Sequence, residues 1–199
     1  MIFSTEQAFN IEKNDKSFLE GGIHEGVRLT GVRNEKSTNG NSFIEFEFNK
    51  NGAVLTHTEW EPTKRADQTD EEMASKVNNQ VARVLQIMSV FYDKATLSNF
   101  TATTFAQFGI WVKSLLDAAD KTKLLRIKAI YNPNGFTSLP KYAKYTFIES
   151  MDVELADTKI KKLGIDTFER PEQGDKEVAA KSSSETFTST PIPSSDIPF

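Results

Sequence analysis

Few side chains in this chain have the types and spacing that chemistry requires. Glu45 and Glu47, two apart in "SFIEFEFNK", share one side of an alternating stretch, where paired carboxylates could hold a divalent cation. No third acid or lysine joins them in a recognisable pattern, and a charged strand surface accounts for them better. The two histidines, His24 and His57, stand alone: there is no HExxH pattern, and no cysteine to join them on zinc. The chain has neither a GxxxxGK[ST] phosphate loop nor a GxSxG elbow. These features point away from an enzyme, and no cofactor or metal is expected.

A second group of residues suits binding. Lys36, Arg126, Lys128, Lys141 and Lys144 are interleaved with Phe136, Tyr142 and Tyr145. Cations neutralise phosphates, and a flat ring accepts a base of any identity, at about 1–3 kcal/mol per stacked base. Phe43 and Trp60 could also stack, with core packing an equal reading. Charge is unevenly placed. From Asp166 to the end there are seven acids and three bases, which is the whole excess of the net −4. Residues 121–150 hold six bases and one acid. A basic segment thus lies within a neutral body, and an acidic tail follows it.

These residues need elements to position them. Val27, Leu29 and Gly31 alternate with Arg28, Thr30 and Val32 after Gly21 and Gly22, which predicts a strand. Ile44, Phe46 and Phe48 share the inner face of a second strand. Asn51-Gly52 is a tight hairpin signal, and residues 53–62 form the returning strand. The period then changes: Met73, Val77, Val81, Val84, Leu85, Met88 and Phe91 recur at helical spacing after a cap at Thr69 or Asp70. A second amphipathic helix is expected over 104–119. Both apolar stripes read as core. Strand character returns over 123–132, with Arg126 and Lys128 facing away from Leu125, Ile127 and Ala129. A loop over 133–144 and a last strand over 145–155 follow. Beyond Phe168 the Ser/Thr/Pro/Glu-rich composition predicts disorder.

Three meandering strands, a helical insertion and two further strands give the order of an OB-fold, a five-stranded all-β barrel core with helices between strands 3 and 4, hence α+β overall. A generic α+β domain gives a similar string. The expected division is a binding domain over 1–165 and an acidic linker with a tip over 166–199. In an OB-fold the ligand crosses strands 2 and 3 under the loops between strands 1–2 and 4–5. Here those loops carry Lys36, and Phe136, Lys141, Tyr142 and Lys144.

The chain ends in "DIPF", that is Asp196, Ile197, Pro198 and Phe199. This ending, on a Ser/Thr/Pro linker after such a domain, resembles bacterial single-stranded DNA-binding proteins. "GGIHEGVRLTGV", "LTHTEWEP" and the long helical insert look more like the divergent phage-encoded members. The resemblance implies sequence-nonspecific binding of single-stranded DNA in replication, recombination and repair. It also implies recruitment of a helicase, primase, nuclease, polymerase accessory protein or recombination mediator by the tip, and possible homo-oligomers. Phe199 would enter an apolar pocket on the partner, Ile197 a neighbouring hollow, Pro198 would restrict the chain, and Asp196 would steer toward basic surface. One departure is the pair of serines before a lone Asp196, where the family carries several aspartates. The rival is an adaptor whose body binds protein and whose tail mimics such a tip, with no DNA binding of its own. No apolar run of about 18 residues and no signal-peptide pattern is present, so a cytoplasmic protein off the membrane is expected.

Overall fold

The computed structural model describes residues 17–171. Among the described residues, six strands and three α-helices follow in the order β1 (Gly22–Lys36), β2 (Ser42–Lys50), β3 (Ala53–Trp60), α1 (Asp70–Met88), α2 (Lys94–Leu97), α3 (Phe105–Ala118), β4 (Leu125–Tyr131), β5 (Thr137–Ser138) and β6 (Ile148–Ser150), before a short 3-10 turn at Leu155–Asp157. The fold is a mostly antiparallel sheet with a helical insert, an α+β arrangement.

One long strand organises it. Residues 28–36 of β1 pair antiparallel with β2, whereas residues 22–27 pair with β4. The register shifts between His24 and Val27, where Gly26 takes a φ of +72° that a side chain would resist. That bulge lets a single strand serve both halves of the sheet. The β2–β3 hairpin closes as its Asn-Gly dipeptide predicts: Asn51 and Gly52 both have positive φ, and Phe43 stands opposite Trp60.

The sheet runs β3-β2-β1-β4-β5, with β6 also on β4. Its two ends are bridged by the short stretch before β1. The Leu19 N–H donates to the Val54 carbonyl at 3.0 Å and the Val54 N–H to the Ser17 carbonyl at 2.8 Å. On the other side Thr137 Oγ1 donates to the Leu19 carbonyl at 2.8 Å.

Inside lie Val27, Leu29, Ile44, Phe46, Phe48, Leu55, Leu125, Ile127 and Phe147, with Val84, Ile87 and Met88 of α1 and Val112 and Leu116 of α3. Helix α1 begins with a full capping box between Thr69 and Glu72. Helix α3 lies close against β1 at Gly109, where an added Cβ would come within 2.4 Å of Asn34 Oδ1.

Three expectations are corrected. The last strand is only Ile148–Ser150, not 145–155, because residues 141–145 are held by α1 rather than by β4. The two-residue β5 lies inside the stretch expected to be loop. The division at residue 165 cuts through packed structure. Asp166 is buried, the Thr167 carbonyl accepts from the Tyr131 N–H at 2.8 Å, and Phe168 lies against Gly21. Asp196, Ile197, Pro198 and Phe199 lie outside the described residues. Among the described residues, no helix is long and apolar enough to cross a membrane.

Candidate nucleic-acid interface

A groove of about 460 Å³ opens between the outer side of β3 and the β4–β5 turn. Thr56, Thr58 and Trp60 line it from β3 and Phe136 from the β4–β5 turn, and Lys141 is also in its lining. Trp60 is 46% exposed and Phe136 69% exposed, so both side chains are reachable from solvent. Among the described residues, no acidic side chain lines this groove.

Local sequence explains how each ring is held. Trp60 ends β3, and the Phe43 ring lies against it with centroids 5.1 Å apart. Phe43 therefore buttresses Trp60 and remains half-buried. Phe136 projects from "NPNGF", whose Asn132 Oδ1 accepts from the N–H groups of Asn134 at 2.9 Å and Phe136 at 3.1 Å. Gly135, with φ +78°, completes the turn, and its carbonyl accepts from Arg170 Nε at 3.3 Å. The turn is thus fixed from within and from the chain beyond β6.

Lys141 is placed from α1. The Arg83 guanidinium grips Glu59 with two bonds, Nε to Oε1 at 2.6 Å and Nη2 to Oε2 at 2.8 Å, and Nη1 reaches the Lys141 carbonyl at 3.2 Å. Gln80 donates to Glu59 at 3.1 Å and to the Trp60 carbonyl at 2.8 Å. His57 completes this buried cluster at 3.1 Å from Glu59 Oε1. Burial alone would raise the Glu59 carboxyl, but Arg83 and His57 together hold it down at about 2. One buried carboxylate thus fixes the end of β3, where Trp60 sits, and the backbone of Lys141.

The basic segment looks different in the fold. Arg126 and Lys128 do not face outward, as the alternation of β4 suggested; both are buried. Arg126 lies between Glu149 and Glu25. Lys128 Nζ donates to Asp166 Oδ2 at 2.7 Å, to the Tyr142 hydroxyl at 2.7 Å and to the Lys161 carbonyl. Their counter-ions lie on β1 (Glu25), on β6 (Glu149) and on the chain beyond β6 (Asp166), so both cations are paired internally. The Lys121 ammonium is buried with no hydrogen-bond partner among the described residues, and burial draws its pKa down. Lys123 stands 3.5 Å from Asp152. Lys141 and Lys144 are the exposed cations of the segment that, among the described residues, have no acidic partner within salt-bridge reach.

Tyr142 is a positioning residue. Its hydroxyl accepts from Lys128 and donates to Asp166 Oδ1 at 3.1 Å; burial and the neighbouring carboxylate push its pKa well up. Tyr145 is 43% exposed, edge-on to Tyr142 with centroids 5.5 Å apart, and Lys144 Nζ lies 5.7 Å from its ring. Neither Tyr145 nor Lys144 lines the Trp60–Phe136 groove. Lys36 is exposed at the end of β1 opposite Ser42, also outside that groove. Glu45 is taken up by Arg33 and by the Thr58 hydroxyl at 3.2 Å. Among the described residues no three histidine, aspartate or glutamate side chains form a cluster that could hold a metal ion.

Sequence reasoning missed Lys76 and Arg83. Lys76, Asn79, Gln80 and Arg83 recur at i, i+3, i+4 and i+7 on α1, and that polar stripe was the available signal. Comparison with known protein families, curated proteins and solved structures gives no match to this chain.

Proposed function

We propose that this protein binds single-stranded DNA without sequence preference, in an OB-type barrel, and acts in DNA replication, recombination and repair. The observation that carries the reading is the pair of exposed rings, Trp60 from β3 and Phe136 from the β4–β5 turn, in the lining of one groove that also holds Lys141 and, among the described residues, no acid. Two bases stack on these rings while Lys141 neutralises backbone phosphate. The OB reading is supported by β1 serving both halves of the sheet, by the β1–β2–β3 meander, and by helices inserted before β4. The tip residues Asp196, Ile197, Pro198 and Phe199 recruit partner enzymes, as the resemblance of the chain's ending to bacterial single-stranded DNA-binding proteins suggests.

Fluorescence anisotropy of the full chain with a labelled dT oligonucleotide tests this. Binding is expected to weaken with salt, with a slope of about −0.7 per phosphate neutralised. Trp60→Ala and Phe136→Ala each weaken it by about 1–3 kcal/mol, the range of one stacked base. Absence of salt-sensitive binding overturns the proposal and leaves the adaptor as the reading to pursue.

A further inference from the structure

The Trp60–Phe136 groove does not end at Lys141. A second depression, about 340 Å³, shares Trp60 and Lys141 with it and extends to Lys76 and Arg83 on α1. A third, about 530 Å³, shares Lys141, Lys76 and Arg83 with the second and adds Lys144. Four bases and one acid, Glu72, line this third depression. Arg83 is already matched by Glu59, and Glu72 is held in the capping box at the positive end of α1. Lys76, Lys141 and Lys144 remain exposed, and among the described residues Lys76 bonds only the Thr63 carbonyl, at 3.1 Å.

The surface between α1 and residues 141–145 is also built to hold its shape. Besides Arg83 on the Lys141 carbonyl, Gln86 Nε2 donates to the Ala143 carbonyl at 2.8 Å and to the Tyr145 carbonyl at 3.3 Å. Tyr142, between them, is pinned to the buried Lys128–Asp166 pair. Lys141 and Lys144 therefore stand on a loop fastened to the helix carrying Lys76.

We propose that a bound single strand leaves the sheet at Lys141 and continues over α1, its phosphates meeting Lys76 and Lys144, so that the helical insert is the second half of the binding site. This rests on the single-strand reading of the first groove. The second half is electrostatic and carries few rings, so it grips backbone rather than bases. Glu61, exposed beside Lys76 and lining the second depression, opposes the strand there.

The test compares full-length protein on dT oligonucleotides of about 4 and about 16 nucleotides, the two ends of the range one OB-fold occupies. With a slope of about 0.7 per single-strand contact, removing one cation costs about fivefold in affinity at about 0.1 M salt, a tenfold step below 1 M. Lys76→Ala is expected to lose about that factor on the long oligonucleotide and to reduce its salt slope, leaving the short one unchanged. Glu61→Gln is expected to tighten only the long one. Equal affinity of wild type and Lys76→Ala for the long oligonucleotide, with Trp60→Ala still impaired, overturns the path over α1 and spares the groove. If neither length binds the wild type, the first reading fails and takes the second with it.

Discussion

Substituting Glu59 by Gln tests the cluster that seats both Trp60 and Lys141. The carboxyl is held at about 2, against an ordinary value of 4.5. A depressed folded-state pKa contributes stability that is full above the unfolded value and is lost as pH falls through the folded one. A difference of about 2.5 units corresponds to about 3 kcal/mol at neutral pH. Glu59→Gln removes that contribution and leaves Arg83 facing an amide. Urea unfolding of wild type and variant, repeated from neutral pH down to about pH 2, gives the gap between them. Every other carboxylate titrates in both proteins and cancels. The gap is expected near 3 kcal/mol at neutral pH, to shrink below about pH 4.5 and to close by about pH 2. A gap that stays constant across this range refutes the account of Glu59. If the cluster also places Lys141, the variant at neutral pH binds dT more weakly, with a shallower salt dependence.

Three further outcomes follow from the packing. Lys128→Met leaves Asp166 buried without its partner and is expected to cost about 3–5 kcal/mol in chemical denaturation; near-wild-type stability would mean that Lys128 is not buried as described. Gly21→Ala would set a Cβ 2.4 Å from the Phe168 carbonyl oxygen, an overpacking against backbone worth about 1–3 kcal/mol, read as a lowered Tm. Ending the chain after residue 165 removes Asp166 and is expected to destabilise it as Lys128→Met does, whereas ending it after 171 spares the fold; equal stability of the two truncations contradicts the packing role of residues 166–170.

The parts of this fold legible in the sequence are those whose signals are local. Asn51-Gly52 and the alternation of Ile44, Phe46 and Phe48 specify a hairpin within one stretch of chain, and the cap at Thr69 with its apolar period specifies α1. Trp60, Phe136 and Lys141 stand out in the sequence by their chemistry, and the fold sets them around one groove. The reading of β4 went astray for a physical reason. Alternating Leu, Arg, Ile, Lys and Ala looks like a strand with one face in water, yet both faces are covered. The partners that make a buried arginine and lysine tolerable, Glu149 and Asp166, lie 23 and 38 residues downstream, and Glu25 lies 101 upstream. No window along the sequence contains them together. The same distance hid the clamp from Arg83 and Gln86 to residues 141–145, and so hid why the last strand is short.

The separation between Lys128 and Asp166 also orders events on the ribosome. At about 5–20 residues per second, Asp166 is synthesised about 2–8 s after Lys128, an interval in which β4 is still in or just leaving the ribosomal tunnel. Once β4 has emerged, sealing it against β1 before Asp166 follows would bury a bare charge. Docking of β4 is therefore expected to wait for the chain that crosses over it. Chains ending at residue 165 and held clear of the ribosome by an unrelated tether are expected to remain open to protease at β4, and tethered chains ending at 171 to close.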